Sequence, residues 1–129
     1  DFHEYFFNLS PDDKAIETNM KKAMYLADQS AKKIYDDLKE NSYFSGIISS
    51  NISQELLIDS VSVNVMQHPY YFRFYGRLRI LRPLSITLRS LVTEGYLRDL
   101  HERSDNNPNG FLIERWKILE NNDINTQKR

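Results

Sequence analysis

Residues 72–80 read Phe-Arg-Phe-Tyr-Gly-Arg-Leu-Arg-Ile, and this stretch decides the fold class. Its alternation of apolar with polar side chains has a period of two, which is typical of a strand with one buried and one exposed face. The predicted inner face consists of Phe72, Phe74, Leu78 and Ile80. The predicted outer face consists of Arg73, Tyr75, Arg77 and Arg79.

Three further stretches alternate in a similar way around this strand. Residues 57–65 would place Val61, Val63 and Val65 on the buried side. Residues 86–97 form a longer run with a bulge predicted near Glu94 and Gly95. Residues 111–119 form the last strand, and residues 120–129 are expected to fray as a polar tail. Successive strands of this kind predict an antiparallel sheet.

One long helix is predicted ahead of the strands. Ser10 and Pro11 combine a helix cap with a proline at the first helical position. Apolar residues then recur every three or four positions, at Ile16, Met20, Met24, Ala27, Ala31, Ile34 and Leu38. A helix over residues 11–40 would be about 45 Å long, so it must bend or the sheet must curl around it. A helix followed by strands predicts an α+β domain.

Composition limits the possible functions. With 129 residues, residues 1–129 are predicted to form a single domain. A formal net charge of −1 gives no general attraction to nucleic acid or anionic lipid. The chain has no cysteine, which excludes disulfides and cysteine-based metal sites. No apolar run reaches the roughly 18 to 20 residues that cross a bilayer.

A turn-forming stretch precedes the last strand. It consists of Asn107, Pro108, Asn109 and Gly110, followed by Phe111. Pro108 fixes its own φ, Gly110 can adopt a positive φ, and asparagine side chains can hydrogen-bond the backbone of a turn. The loop over residues 101–110 is longer than the two to five residues of an ordinary hairpin. This length favours more than a simple connection, and the pattern fits a rigid, exposed contact loop and a loop that only sets strand register equally well.

Several stretches together resemble one protein family. They are residues 10–13 at a helix start, residues 75–77, the Asn-Pro-Asn-Gly stretch at residues 107–110, and residues 111–116. The chain resembles the TraK proteins of conjugative transposons from Bacteroides and its relatives. That family is similar to the eighth VirB component of type IV secretion systems, whose periplasmic domain carries an Asn-Pro-any residue-Gly motif. The resemblance implies a nuclear transport factor 2-like fold, a strongly curved sheet wrapped around helices.

The resemblance also implies a function and a location. Such a chain would be a noncatalytic assembly subunit that helps to nucleate the inner-membrane part of a channel for DNA transfer. It would lie on the periplasmic face of the bacterial inner membrane, held by one membrane helix upstream of Asp1. Its expected partners are other secretion components and further copies of itself, through the motif loop and exposed strand faces. Outside the motif the chain diverges from the VirB proteins, so no dimer surface carries over residue by residue.

A small-molecule site is the alternative function. Asp59 falls in phase with Val61 and Val63, so it could be a carboxylate at the mouth of an apolar pocket and act as a base. The interpretation that we favour is that Asp59 simply precedes the strand, in a turn with Ser60. His3, His68 and His101 are far apart in sequence and form no ligand pattern, and no phosphate loop or serine elbow is present. We therefore predict no cofactor, no metal and no enzyme.

A basic strand face is the last candidate site. Its members are Arg73, Tyr75, Arg77 and Arg79, with Arg89 expected on the outer face of the neighbouring strand. Cations around an aromatic platform are typical of single-stranded DNA binding. The near-neutral chain favours a solvated face neutralised by acidic neighbours, and a protein contact is the third possibility. Direct DNA contact is not our prediction.

Overall fold

The computed structural model describes all of residues 1–129. Four helices precede four strands, in the order α1 (Phe2–Phe7), α2 (Asp13–Met24), α3 (Gln29–Glu40), α4 (Tyr43–Ser49), β1 (Ser53–Asn64), β2 (Tyr70–Leu81), β3 (Ser85–Asp99) and β4 (Phe111–Lys128). The strands form one antiparallel sheet in sequence order, and the helices pack on one of its faces. The predicted α+β class and the four-stranded antiparallel sheet are confirmed.

The two faces of β2 are those that its sequence predicts. Phe72, Phe74, Leu78 and Ile80 are buried against the helices. Leu91 and Thr93 of β3 lie opposite Gly76 and Phe74 and are also buried, so they extend the same inner face. The pairing of β2 with β3 has no break in register, which makes these two strands the regular centre of the sheet.

Bulges lie in the two edge strands. In β1 the register shifts between Ile58 and Ser60, so that Asp59 is an extra residue. Against β3, β4 carries an extra residue at Leu119, another at Ile124, and a third over residues 115–116. The last of these confirms the place of the bulge predicted near Gly95, although the extra residue belongs to β4. Because a bulge bends its strand and increases twist, edge bulges of this kind curve a sheet.

Strand β4 is longer than the sequence predicts. It continues to Lys128 because residues 120–128 pair with residues 85–92 of β3. The prediction that residues 120–129 fray as a polar tail is therefore wrong. A polar strand can form here because backbone hydrogen bonds to β3 stabilise it, although it has no buried apolar face.

The prediction of a single helix over residues 11–40 is also wrong, because this segment forms two helices, α2 and α3. Between the two helices, Leu26 O accepts a hydrogen bond from the N–H of Ile113 at 2.8 Å. The N–H of Asp28 donates to Ile113 O, also at 2.8 Å. These backbone groups pair with β4 instead of continuing a helix. The predicted bend is thus a complete break.

Two side chains after the break bind the bulge of β4. Asp28 caps α3 by accepting from the N–H of Ser30 at 2.9 Å, and its other carboxylate oxygen accepts from the N–H of Arg115 at 3.1 Å. The hydroxyl of Ser30 accepts from the N–H of Trp116 at 2.8 Å. Arg115 has a φ of 51°, in the left-handed region. Burial opposes ionisation of Asp28, but the hydrogen bonds from Ser30 and Arg115 outweigh it and lower the pKa of this carboxyl.

The predicted apolar stripe survives the break. Ile16, Met20 and Ala31 of the stripe are buried in the common core, and Met24, Ala27, Ile34 and Leu38 pack against that core while partly buried. Ala31 has no exposed surface, and neither has Ala23, which the predicted stripe does not include. The predicted helical phase is therefore confirmed, whereas the predicted continuity is wrong.

The buried side predicted for β1 is wrong in its distal half. Val61 and Val63 do lie on the inner face, opposite Phe74 and Phe72, but both are exposed. Val65 lies beyond the end of β1 and is exposed as well. Alternation fixes the face of a strand but does not reveal how far the helices reach across it.

Helix α1 fills the centre of the core with aromatic rings. Phe2, Phe6 and Phe7 are buried around Trp116, with ring centroids between 4.9 and 5.9 Å from that of Trp116. His3 stacks on Phe74 at 3.9 Å and shares a hydrogen bond of 2.8 Å with the hydroxyl of Thr93. Burial lowers the pKa of His3 to about 3, so the ring is neutral at physiological pH.

The link between Asp28 and β4 predicts a difference between two helix caps. Asp12→Ala removes an ordinary cap on α2 and should lower the free energy of unfolding by about 1 kcal/mol. Asp28→Ala removes a cap and also the acceptor for Arg115, so we expect a loss of about 2 kcal/mol or more. Urea unfolding followed by Trp116 fluorescence measures both. Equal losses would show that the Asp28 link to β4 contributes nothing.

Buried His3 predicts a loss of stability in mild acid. The unfolded chain takes up a proton at His3 below about pH 6.5, whereas the folded chain does not until about pH 3. Stability is therefore full above pH 6.5 and falls as the pH drops through this window, by about 1.4 kcal/mol at pH 5.5. The His3→Phe, Thr93→Val double variant removes both polar groups. Its unfolding free energy should fall less than that of the wild type between pH 7.5 and 5.5, and an identical fall would refute the assignment.

Candidate functional site

The motif loop, residues 100–110, joins β3 to β4 and is held by its own hydrogen bonds. The side-chain amide of Asn107 donates to Phe111 O at 2.7 Å. The backbone of Asn107 forms a bridge with Ser104, with hydrogen bonds of 3.1 and 3.2 Å. Asn107 is buried, so its side chain serves the shape of the loop rather than its surface.

Gly110 closes the motif loop onto the end of β3. Its carbonyl accepts from the N–H of Leu100 at 2.7 Å, and its own N–H donates to Asn107 O at 3.2 Å. Its φ is +70°, a value that side-chain-bearing residues rarely adopt. A Cβ at this position would also come within 3.1 Å of Arg103 Cγ. Glycine is therefore required here for the loop to keep its shape.

The other residues of the predicted contact set face outward. Pro108 and Asn109 are exposed at the turn, and Phe111 is exposed at the first position of β4. The five residues singled out from the sequence thus divide by role. Asn107 and Gly110 fix the backbone, and the side chains of Pro108, Asn109 and Phe111 are available to a partner.

A groove of about 290 Å³ separates the motif loop from the first two helices. Residues 105–109 form one wall, and the other wall includes Tyr5, Lys22 and Tyr25. Tyr25 is exposed at the end of α2. Sequence reasoning missed this wall because no local pattern relates the end of α2 to a loop about 80 positions later. A partner that contacts Pro108 and Asn109 would therefore also contact Tyr25.

The basic face is neutralised by acidic neighbours. Arg77 donates three hydrogen bonds to Asp59, the shortest at 2.9 Å. Arg73 lies 3.8 Å from Glu94, and Arg79 lies 3.8 Å from Glu55. The three outer-face arginines therefore each have a carboxylate partner beside the exposed Tyr75, and a nucleic-acid phosphate would have to compete with it.

The expected position of Arg89 is wrong. Arg89 pairs with Leu78 across β2 and β3, which places it on the inner face of the sheet. There it lies 2.9 Å from Asp123 and donates two hydrogen bonds to Asn121 of β4. Arg89 therefore does not extend the basic face.

Asp59 does not lie at the mouth of a pocket. As the extra residue of the β1 bulge it is paired with Arg77 on the outer side of the sheet. It is also well inside β1 rather than in a turn before it, so both sequence interpretations of its position are wrong. The bulge changes the phase of the strand, which separates Asp59 from Val61. The small-molecule alternative thereby loses the polar group on which it depended.

The space between the helices and the sheet is lined by no carboxylate, histidine or lysine. This space of about 70 Å³ is lined mainly by apolar side chains, with Tyr43, Gln54 and Asn121 as its polar members.

No group of three or more histidine, cysteine, aspartate or glutamate side chains is placed to hold a metal ion. None of the helices is long and apolar enough to cross a membrane.

Comparison with known proteins gives structural matches only. No family model matches the sequence, and no curated protein does. CagV, a VirB8 homologue of the type IV secretion system of Helicobacter pylori, superposes with a TM-score of 0.66 at 16% identity, covering 96% of this chain and 92% of CagV. The soluble domain of TrwG, from the type IV secretion machinery of Bartonella grahamii, gives a TM-score of 0.69 at 14% identity, covering 93% and 87%. The chain therefore has the nuclear transport factor 2-like fold expected from the resemblance, a fold that it shares with VirB8-type domains.

Proposed function

We propose that this chain is a noncatalytic assembly subunit of a type IV secretion system. The fold shared with CagV and TrwG over nearly the whole chain supports this proposal. The observation that carries it is that different residues of the motif loop have different roles. Buried Asn107 and Gly110 hold the backbone of a loop whose outward residues have no role in the core.

The finer proposal is a subunit of the TraK type, which serves DNA transfer by a conjugative transposon. It rests on the sequence resemblance at residues 107–110 and the accompanying stretches. In this proposal residues 1–129 form one periplasmic domain at the inner membrane. A membrane helix ahead of Asp1 would hold the domain there.

The proposed mechanism is binding without chemistry. Pro108, Asn109 and Phe111 contact another channel component, with Tyr25 across the groove as part of the same surface. A rigid loop loses little conformational entropy on binding, which favours affinity from a small contact. Self-association would multiply these contacts within an assembly. Direct DNA binding is not part of the proposal, because the outer-face arginines are paired with acids.

The proposal predicts that a change in the motif loop harms function more than folding. The Pro108→Ala, Gly110→Ala double variant releases one fixed φ and strains another, at a cost of roughly 1 to 2 kcal/mol. A loss of that size should lower the melting temperature by several degrees without unfolding the domain. Conjugation frequency with the full-length protein should fall at least tenfold. Wild-type transfer, or global unfolding of the soluble domain, would contradict the proposal.

A matched control makes the same two chemical changes elsewhere. Pro83 is exposed in the turn between β2 and β3, and a Cβ on Gly46 would meet no heavy atom within 4 Å. The Pro83→Ala, Gly46→Ala double variant should therefore transfer DNA at the wild-type frequency. A comparable defect in this control would mean that transfer responds to replacement of a proline and a glycine elsewhere in the chain rather than to the loop.

A further inference from the structure

A cavity of about 150 Å³ lies beside the turn between β2 and β3. Its apolar wall is formed by Ile47, Ile52 and Ile80, and its polar members include Tyr43, Arg82 and Arg89. The motif loop follows the other end of β3, so this cavity is separate from the surface of the proposed function. The two sites can therefore be tested independently.

Arg82, in the turn between β2 and β3, has no acidic partner. Every arginine within these two strands forms an ion pair with a carboxylate of the chain, namely Arg73, Arg77, Arg79, Arg89 and Arg98. Arg82 forms none, although it is half-buried. A cation that is partly removed from water is stabilised by a counter-charge, and the chain supplies none here.

The guanidinium group of Arg82 is held in place. Its Nη1 donates a hydrogen bond of 2.7 Å to the hydroxyl of Thr87, which is buried and shares a further hydrogen bond of 3.0 Å with the hydroxyl of Thr126. The backbone N–H of Arg82 donates to Ser85 O at 2.8 Å and closes the turn. Nε and Nη2 of Arg82 donate to no atom of the chain. A fixed guanidinium with free N–H groups is suited to binding a carboxylate.

Arg89 also lines the cavity, but its own guanidinium is fully engaged. Its Nε and Nη2 donate to the side chain and the backbone carbonyl of Asn121, at 2.8 and 2.6 Å. Its Nη1 lies 2.9 Å from a carboxylate oxygen of Asp123. Arg89 and Asp123 therefore neutralise each other, and the unpaired charge in the cavity wall is that of Arg82. One unpaired guanidinium matches a singly charged anion.

Tyr43 supplies a second donor for such an anion. Its hydroxyl lies 3.3 Å from Oε1 of Gln54, beyond the usual length of a hydrogen bond between a hydroxyl and an oxygen. Burial raises the pKa of Tyr43, and the positive charges of Arg89 and Arg82 oppose this rise. The phenol is therefore protonated at neutral pH and lies near both guanidinium groups. Its proton is available to a bound anion.

The apolar wall favours a ligand that carries a hydrocarbon chain. Ile47 and Ile80 are buried and Ile52 is half-buried. Tyr43 and Gln54 line both this cavity and the apolar space of about 70 Å³ between the helices and the sheet, so the two spaces are neighbours. A short hydrocarbon chain gains free energy by leaving water for such a wall, whereas an inorganic anion does not.

We propose that this cavity binds an aliphatic carboxylate. Its carboxylate group binds Arg82 and Tyr43, and its hydrocarbon chain packs on Ile47, Ile52 and Ile80. The same chemical group occurs in a free short-chain acid and at the C-terminus of a peptide that ends in an aliphatic residue. The site is one of binding and not of catalysis, and it uses no residue of the motif loop.

Titration with 4-methylpentanoate tests the site directly, because this acid joins a carboxylate to a branched chain of the size of leucine. In NMR spectra of the purified chain at neutral pH, saturable shifts should centre on the backbone amides of residues 43–54 and 80–89. The neutral 4-methylpentanamide, acetate and inorganic phosphate should each bind at least tenfold more weakly. The absence of saturable shifts, shifts centred elsewhere, or equal binding of any of these three compounds would overturn the proposal.

N-acetyl-leucine distinguishes the two sources of the carboxylate, because it represents the end of a peptide. Tighter binding of N-acetyl-leucine than of 4-methylpentanoate would assign the site to a peptide C-terminus. Weaker binding would assign it to a free acid. Either order supports the site, and failure of both compounds to bind would overturn it.

Two variants test the residues that hold the carboxylate. Arg82→Gln removes the unpaired charge and should weaken the binding of 4-methylpentanoate at least tenfold. Tyr43→Phe removes only a hydroxyl with one long hydrogen bond, so it should fold normally and bind severalfold more weakly. Arg79→Gln is the matched control, because Arg79 is exposed on the outer face and paired with Glu55, and it should bind like the wild type. Unchanged binding by both cavity variants, or an equal loss in the control, would overturn the proposal.

Discussion

The attachment of residues 26–30 to strand β4 is the constraint on which much of the structure depends. Backbone hydrogen bonds join Leu26 and Asp28 to Ile113, and the side chains of Asp28 and Ser30 bind the N–H groups of Arg115 and Trp116. This attachment breaks the first long helix and covers the start of β4. It also fixes Trp116, around which the aromatic rings of α1 pack. Strand β4 begins directly after the motif loop, so the attachment that holds β4 in the core also holds one end of the candidate site.

Local patterns predicted the parts of the fold that depend on neighbouring residues. The faces of β2 and the apolar stripe of the helices were correct because side-chain period and burial agree there. The helix break could not be predicted, because it depends on Asp28 meeting a residue 87 positions away. The same holds for Val61, which lies on the predicted face but beyond the reach of the helices, and for Arg89, whose partners are on β4. The bulge at Asp59 further changed the phase that had made a pocket carboxylate plausible.

The residues that form the turn of the candidate site could be predicted from the sequence, but the residues that surround the turn could not. Proline and glycine at fixed positions reveal a turn from sequence alone, and the structure adds that Asn107 and Gly110 are internal while Pro108 and Asn109 face outward. The wall formed by Tyr5, Lys22 and Tyr25 appears only after folding. The chain thus presents a stiff loop beside a groove, and the proposed function uses this surface.

The central claim is that the motif loop contacts another secretion component in the assembled system. Site-specific photo-cross-linking in donor cells tests it most directly, with a photoreactive residue at the exposed position of Asn109 and a control at exposed Lys33 on α3. The account predicts that position 109 captures a component encoded with the same secretion system and that position 33 does not. Capture that is absent at position 109, or equal at the two positions, would contradict it.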